Sequence, residues 1–434
     1  MIDSQFNQFN LLLQKVKLLD PVKGIEQIAD VLLLDGSIKQ IQLNINVNDC
    51  PQNVRVFDAR NLVLAPGLVD LYSNSGEPGY EYRENLLTLA RAANSGGFTR
   101  LNILPNTVPP INNQEILSSL QQKSLELKSN KLQSFPNLKF WAAMELDRQN
   151  HQQMTDFIEL SNDVIGFAGS YTLTNLDLLS QILEYTKPLN KAICLTLNSN
   201  ELKSNGVIRE GKASIRYGLS GQPCFSETAI LAAVLEIVDE IGTPVHIMRI
   251  STRRGLELIA NAKKRGFPVT ASTTWMHLLF NTNDLQDYDP NLRLEPPIGN
   301  EEDMLALIQG VKEGIIDAIA IDHTPYTYEE KTLAFAEAPP GVIGLELALP
   351  LLWSRFVASG EWSALELWQA LSTRPQKCLQ QNPSSLMSQA KTELVLFNPE
   401  QTWIVDRDSL QSKANNTPWW GKTITGKILN VWNS

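Results

Sequence analysis

Histidine and cysteine are the side chains that most often hold metals or act as bases and nucleophiles near neutral pH. This chain has four of each: His151, His246, His277 and His323, and Cys50, Cys194, Cys224 and Cys378. None is paired at the short spacings that clamp a metal or form a redox dithiol. A mechanism that needs several histidine ligands must therefore use nearly all of them. No histidine sits close in sequence to Cys194 or Cys224 to suggest a dyad, so both read as small buried hydrophobes. The remaining candidates are polar residues that end apolar runs: Asp70 to Asn74, Pro105-Asn106, Gly166 to Ser170, Thr196 and Asn198, Arg249, Met276-His277, and Asp322-His323. Taken together this set is oddly neutral for an enzyme mouth.

The elements carrying these residues read as an α/β fold. Eight apolar, β-rich runs alternate with amphipathic helical stretches: Leu64 to Tyr72, Phe98 to Leu104, Leu138 to Met144, Val164 to Ala168, Ala192 to Leu197, Val245 to Ser251, Val269 to Thr274 and Ala318 to Asp322. Eight such units over some 300 residues predict a (β/α)8 TIM-type barrel, with its active site at the carboxyl ends of the strands. Asn300 with Asp303 three residues later predicts a capping box opening a helix, and Ser226 starts another that ends at a glycine. Both ends of the chain differ. Residues 1–63 read as short strands with a tight reversal at Asp35-Gly36, and Glu393 to Phe397, Trp403 to Val405 and Thr423 to Val431 form a similar set. The expected division is 1–63 and 380–434 as one small β-sandwich built from both termini, and 64–379 as the barrel. Gln380 to Lys391 is the expected linker.

The 434-residue length fits this plan at roughly 150 residues per domain. Composition is ordinary for a globular protein, with 43% hydrophobic and 19% charged residues. The net charge of −10 argues against nucleic acid and against an anionic membrane surface. No signal peptide and no apolar run near 18 residues is visible, so a cytoplasmic location with reduced thiols is expected.

The segment LAPGLVDLYSNSGEPGYEYRENLLTLARAANSGGFTRLNILPNTVPPINN resembles the opening of a dihydroorotase barrel, and IDAIAIDHTPYTYEEKTLAFAEAPPGVIGLELALPLL resembles its closing strand and loop. The resemblance runs from about Leu34 to Asn416-Thr-Pro418. It implies the amidohydrolase superfamily fold, a metal-bearing (β/α)8 barrel beside a small β-sandwich. It also implies a set of site residues. A His-x-His pair after the first strand would bind zinc, and an arginine two residues later would hold the substrate carboxylate; this chain has Tyr72, Asn74 and Gly76 there. The fourth strand would bring an aspartate or a modified lysine, and Gly166 to Ser170 contains neither. The sixth and seventh would each bring a histidine, and here stand Arg249 and Met276.

Guanidinium stays protonated and does not coordinate zinc. Asp322 alone keeps the catalytic aspartate position, and Asn106 keeps a substrate-binding one. The family's asparagine before Pro-Pro is Glu295, and its substrate histidine is Tyr326. No metal ligand is assigned. His246, three residues before Arg249 on a strand, is expected on the opposite face from it. His277 is next to the usual ligand, His323 is expected to face away from Asp322, and His151 falls in a helical stretch. Without metals Asp322 would be a lone buried carboxylate, so a pairing with Arg249 is expected. Trp419-Trp420 is expected to pack the sandwich against the barrel.

The resemblance thus implies a dihydroorotase-like protein of pyrimidine biosynthesis that is noncatalytic. It would act as a structural or regulatory subunit, homo- or hetero-oligomeric, with aspartate carbamoyltransferase as the partner and no cofactor. The alternative is an active zinc-dependent dihydroorotase or related cyclic amidohydrolase with a rearranged metal site. A third reading is a small-molecule binding module that uses Asn106, Arg249 and Glu295 at the barrel mouth.

Overall fold

A computed structural model describes residues 10–129, 134–146, 153–171, 175–197, 200–383, 385–386 and 393–433. His151 and Asn198 lie outside the described residues, as does half of the expected linker.

The terminal strands are β1 (Leu11–Asp20), β2 (Ile25–Leu34), β3 (Ser37–Gln42), β4 (Arg55–Asp58) and β5 (Val63–Pro66) from the start of the chain, with β16 (Leu394–Ile404) and β17 (Thr423–Trp432) from its end. By hydrogen bonding they form one seven-stranded sheet in the order β17-β16-β5-β1-β2-β3, with β4 on β1. Asp35 and Gly36 both take positive φ in the β2–β3 reversal, as a two-residue hairpin of this twist requires. Leu13, Leu18, Val31, Leu33, Leu64, Leu396 and Trp432 belong to a core that these strands share. Strands from both termini thus share one sheet and one core.

The barrel strands are β6 (Leu68–Ser73), β7 (Phe98–Ile103), β8 (Asn137–Ala143), β9 (Gly166–Tyr171), β10 (Ala192–Leu197), β13 (Val245–Ile247), β14 (Val269–Thr274) and β15 (Ala318–Ala320). A short pair, β11 (Ile208–Arg209) and β12 (Gly221–Gln222), stands apart. The eight form a parallel sheet in the order β15-β14-β13-β10-β9-β8-β7-β6. Asp322 N donates to Tyr72 O at 3.2 Å and Asn74 N to His323 O at 2.8 Å, which joins the first strand to the segment after the last. The run expected as one strand from Leu64 to Tyr72 is two. It breaks at Gly67, whose missing side chain leaves room for Thr99: a Cβ there would lie 2.1 Å from Thr99 Oγ1.

Small residues on the inner face explain how the barrel fills. Ala168, Ala192, Cys194, Ala318 and Ala320 share one cluster with Trp141 and Tyr72, so two large rings occupy the space that small neighbours leave. The indole of Trp141 donates to Leu71 O at 3.0 Å, which satisfies its one polar atom in an apolar interior. Outside, the helices cover the strands. Phe225–Ile241 buries Ile230, Leu231, Val234, Leu235 and Val238 at helical spacing and ends at Gly242 with φ of 76°. Helix Glu301–Glu313 opens with the Asn300–Asp303 capping box.

Candidate functional site

The carboxyl ends of the strands surround a cavity of about 540 Å³. Asp322 and Arg249 meet in it. Arg249 Nε donates to Asp322 Oδ2 and Nη2 to Oδ1, both at 2.7 Å. Nη1 donates to Thr196 Oγ1 at 3.3 Å, and the Arg249 backbone N–H to the Tyr72 hydroxyl at 3.2 Å. This two-pronged geometry is the strong form of a carboxylate–guanidinium contact. Burial works against the guanidinium charge, but the Asp322 carboxylate more than offsets it and raises the Arg249 pKa above its ordinary value. The pairing expected from the sequence is present.

Backbone geometry brings the pair together. Arg249 has φ of 57° and Asp322 of 52°, the left-handed region that non-glycine residues seldom occupy and that costs about 1 kcal/mol or more at each position. Each lies just past a strand end, where this turn swings the side chain across the mouth. It also corrects one expectation. His246 does not face away from the Arg249 side: its ring approaches that of Tyr72 at 6.5 Å between centroids, and Tyr72 in turn contacts Arg249. Strand alternation predicts opposite faces only while the strand continues, and β13 ends at Ile247.

The positions at which the family resemblance implies zinc ligands have other occupants. Tyr72 is fully buried, its hydroxyl 2.8 Å from Ser272 Oγ. Burial first, and the Asp322 charge second, hold the phenol pKa well above 10. Asn74 Nδ2 donates to Thr324 Oγ1 at 2.9 Å, and Asn74 Oδ1 accepts from Asn106 Nδ2 at 3.0 Å. Asn106 is thus at the mouth and exposed. At Gly76 a Cβ would lie 2.2 Å from Glu84 O and 2.3 Å from Tyr80 O, so this backbone path admits no side chain there. Met276 is buried against the cavity. Among the described residues no three His, Cys, Asp or Glu side chains are grouped to hold a metal ion.

The described histidines sit in protein surroundings. His246 Nδ1 is 2.9 Å from Thr270 Oγ1 and Nε2 2.8 Å from Ser272 Oγ, and burial pushes its pKa down to about 3. His277 Nδ1 is 2.7 Å from Thr274 Oγ1. Burial, with the Arg209 charge behind it, lowers its pKa to about 4. Both rings are neutral at pH 7. His323 faces away from the Asp322 side chain: Gly344 N donates to its Nδ1 at 3.2 Å and its Nε2 lies 3.5 Å from Glu84 Oε2. Burial raises the Cys194 thiol well above its usual pKa, as expected of a small hydrophobe.

Lys203, Arg83 and Glu330 escaped the sequence reading. Glu295 is 3.3 Å from Lys203 Nζ, so the repulsive charge expected at the mouth has a counter-ion from the short helix Asn200–Lys203. Arg83 pairs with Glu330 while its guanidinium lies 4.2 Å from the Tyr80 ring centroid and 4.8 Å from that of Tyr326. Asp70, beneath the mouth, accepts from Ser73 Oγ at 2.5 Å and Ile321 N at 2.9 Å. Burial nevertheless pushes its pKa up to about 7. Its place in the polar tail of the first strand was the available signal.

Comparison with known proteins agrees with this architecture. A family described as Dihydro-orotase-like matches residues 61–255. A dihydroorotase-like protein of Synechocystis sp. is 40% identical, over 97% of this chain and 98% of its own. The dihydroorotase of Geobacter metallireducens is 31% identical, over 96% of each. Among solved structures, an L-hydantoinase (dihydropyrimidinase) from Arthrobacter aurescens superposes with a TM-score of 0.80 at 21% identity, over 97% of this chain and 94% of that one. That likeness concerns the fold, the amidohydrolase barrel. From the match along nearly the whole sequence, the chain belongs to the dihydroorotase-like family.

Proposed function

We propose that this chain is a noncatalytic member of its family, a structural or regulatory protein of pyrimidine metabolism with aspartate carbamoyltransferase as its partner. The Arg249–Asp322 ion pair carries this reading. Zinc-dependent ring opening needs a metal-activated hydroxide and a carboxylate able to move a proton. Asp322 is the one residue left in the expected place, and both of its oxygens accept from a permanent cation. Zinc also needs three or four imidazole, thiolate or carboxylate donors around one point. A phenol held well above pKa 10, an amide, a thioether and a guanidinium do not fit that ion. The partner rests on the family resemblance alone.

The test is direct. The protein is purified with zinc present, bound metal is measured per chain, and dihydroorotate cyclisation is assayed in both directions. The expected result is a metal content near zero with no turnover. About two metals with turnover would instead favour the active enzyme with a rearranged site. Pull-down with the carbamoyltransferase of the same organism is expected to recover a complex at micromolar concentration, and its absence would count against the partner.

A further inference from the structure

The mouth cavity retains the size of a small-molecule site, within the usual range of roughly 300–1,000 Å³. Its described cations, however, are each paired with a carboxylate, and Glu145 and Glu295 add negative charge to the lining. The described cations that line it are Arg83 and Arg249, and each is locked to a carboxylate, Glu330 and Asp322. Lys203 reaches Glu295 at the edge. Behind the rim, Lys331 Nζ donates to Pro339 O at 2.8 Å and Gly341 O at 3.0 Å. The position that the resemblance assigns to a carboxylate-binding arginine is Gly76, where a Cβ would meet backbone oxygen at 2.2 Å. A carboxylate entering this cavity would lose its hydration without gaining a counter-ion.

Apart from its carboxylates, what the cavity offers is neutral. The Asn74 amide has two donors and two acceptor lone pairs; Thr324 takes one donor and Asn106 fills one acceptor. Thr196 and Thr274 add hydroxyls to the lining, each already bonded to a neighbour, Arg249 and His277. His277 is uncharged at neutral pH. Tyr80 and Tyr326 supply aromatic wall beside the locked Arg83.

We propose that the barrel mouth is a binding site for an uncharged small molecule carrying adjacent amide donors and acceptors, and that it discriminates against the carboxylated version of the same molecule. This rests on the noncatalytic reading above, since it treats the mouth as a site for binding and not for turnover.

The test uses a matched pair, dihydrouracil and dihydroorotate, which differ by one carboxylate, titrated calorimetrically into the full chain. Dihydrouracil is expected to bind at least about tenfold more tightly. In Glu295→Gln, which frees the Lys203 ammonium, the preference is expected to narrow by about tenfold, through tighter dihydroorotate binding. Equal or tighter binding of dihydroorotate to the unaltered chain would overturn the proposal. So would the absence of dihydrouracil binding up to about 10 mM. Ring opening is followed in the same samples by absorbance. Turnover of dihydroorotate would overturn the noncatalytic reading, whereas silent samples with no dihydrouracil binding would overturn only the proposed ligand class.

Discussion

Replacing Arg249 with methionine keeps most of the side-chain volume and removes the charge that faces Asp322. The side chains of the pair are 14% and 16% exposed, so Asp322 would be left as a nearly buried carboxylate with no counter-ion. Breaking such a pair from one side costs about 3–5 kcal/mol. The attraction lost is about 4 kcal/mol for charges near 4 Å at an effective dielectric of 20. Part of that loss returns if the carboxylate is also neutralised, so Arg249→Met with Asp322→Asn is expected to be more stable than Arg249→Met alone. The coupling energy of the cycle should be about 2 kcal/mol or more. Urea unfolding of the four proteins measures the cycle. A single-variant cost under about 1 kcal/mol, or a double variant no more stable than the single, would refute the view that the pair holds the mouth together.

Other groups make separate predictions. His246 has a folded pKa of about 3 against about 6.5 unfolded, so its contribution is present above pH 6.5 and lost as pH falls toward 3. The stability advantage of the native chain over His246→Gln should shrink by about 1.4 kcal/mol per pH unit between 6.5 and 4.5, and a constant difference would mean that the ring is not held neutral. Asp70 has the opposite sign: with a folded pKa of about 7 its contribution is present below about pH 4 and lost as pH rises through 7. Asp70→Asn should therefore gain on the native chain from pH 4 to pH 8 in the same denaturation series. Trp419 stacks on Trp275 at 5.2 Å and meets Phe280 at a tilt with centroids 5.3 Å apart, while Trp420 is 41% exposed. Trp419→Ala should cost about 2–3 kcal/mol and Trp420→Ala under about 0.5 kcal/mol in thermal or chemical unfolding, and similar losses at both would place the packing load wrongly.

Legibility differed between the scaffold and the site. The barrel strands could be read because apolar runs of strand length recur between amphipathic helical stretches, and that periodicity is local. The junction at Gly67 could not. The run from Leu64 to Tyr72 is apolar apart from Asp70 and reads as one strand, and the break at Gly67 is fixed by the approach of Thr99 from the next strand. Arg249 with Asp322 was legible because a buried carboxylate demands compensation and one cation stood at a facing strand end. Lys203 beside Glu295 was not, because the two lie 92 positions apart and nothing local shows which segment folds over the mouth. The side taken by His246 was misread for a related reason: a residue past a strand end, in a left-handed turn, no longer obeys strand alternation.

The amino-acid sequence alone therefore determines the fold class, the strand ends that bear polar residues, and the chemical types available there. These follow from hydrophobic periodicity and from what each side chain can ligate or ionise, both readable one residue at a time. Only the tertiary structure decides which charges cancel. Coulomb interactions fall off with distance in space, not along the chain, and Arg249, Lys203 and Arg83 each find their carboxylate more than 70 positions away. The pairing of the cations at the mouth is a property of those three encounters.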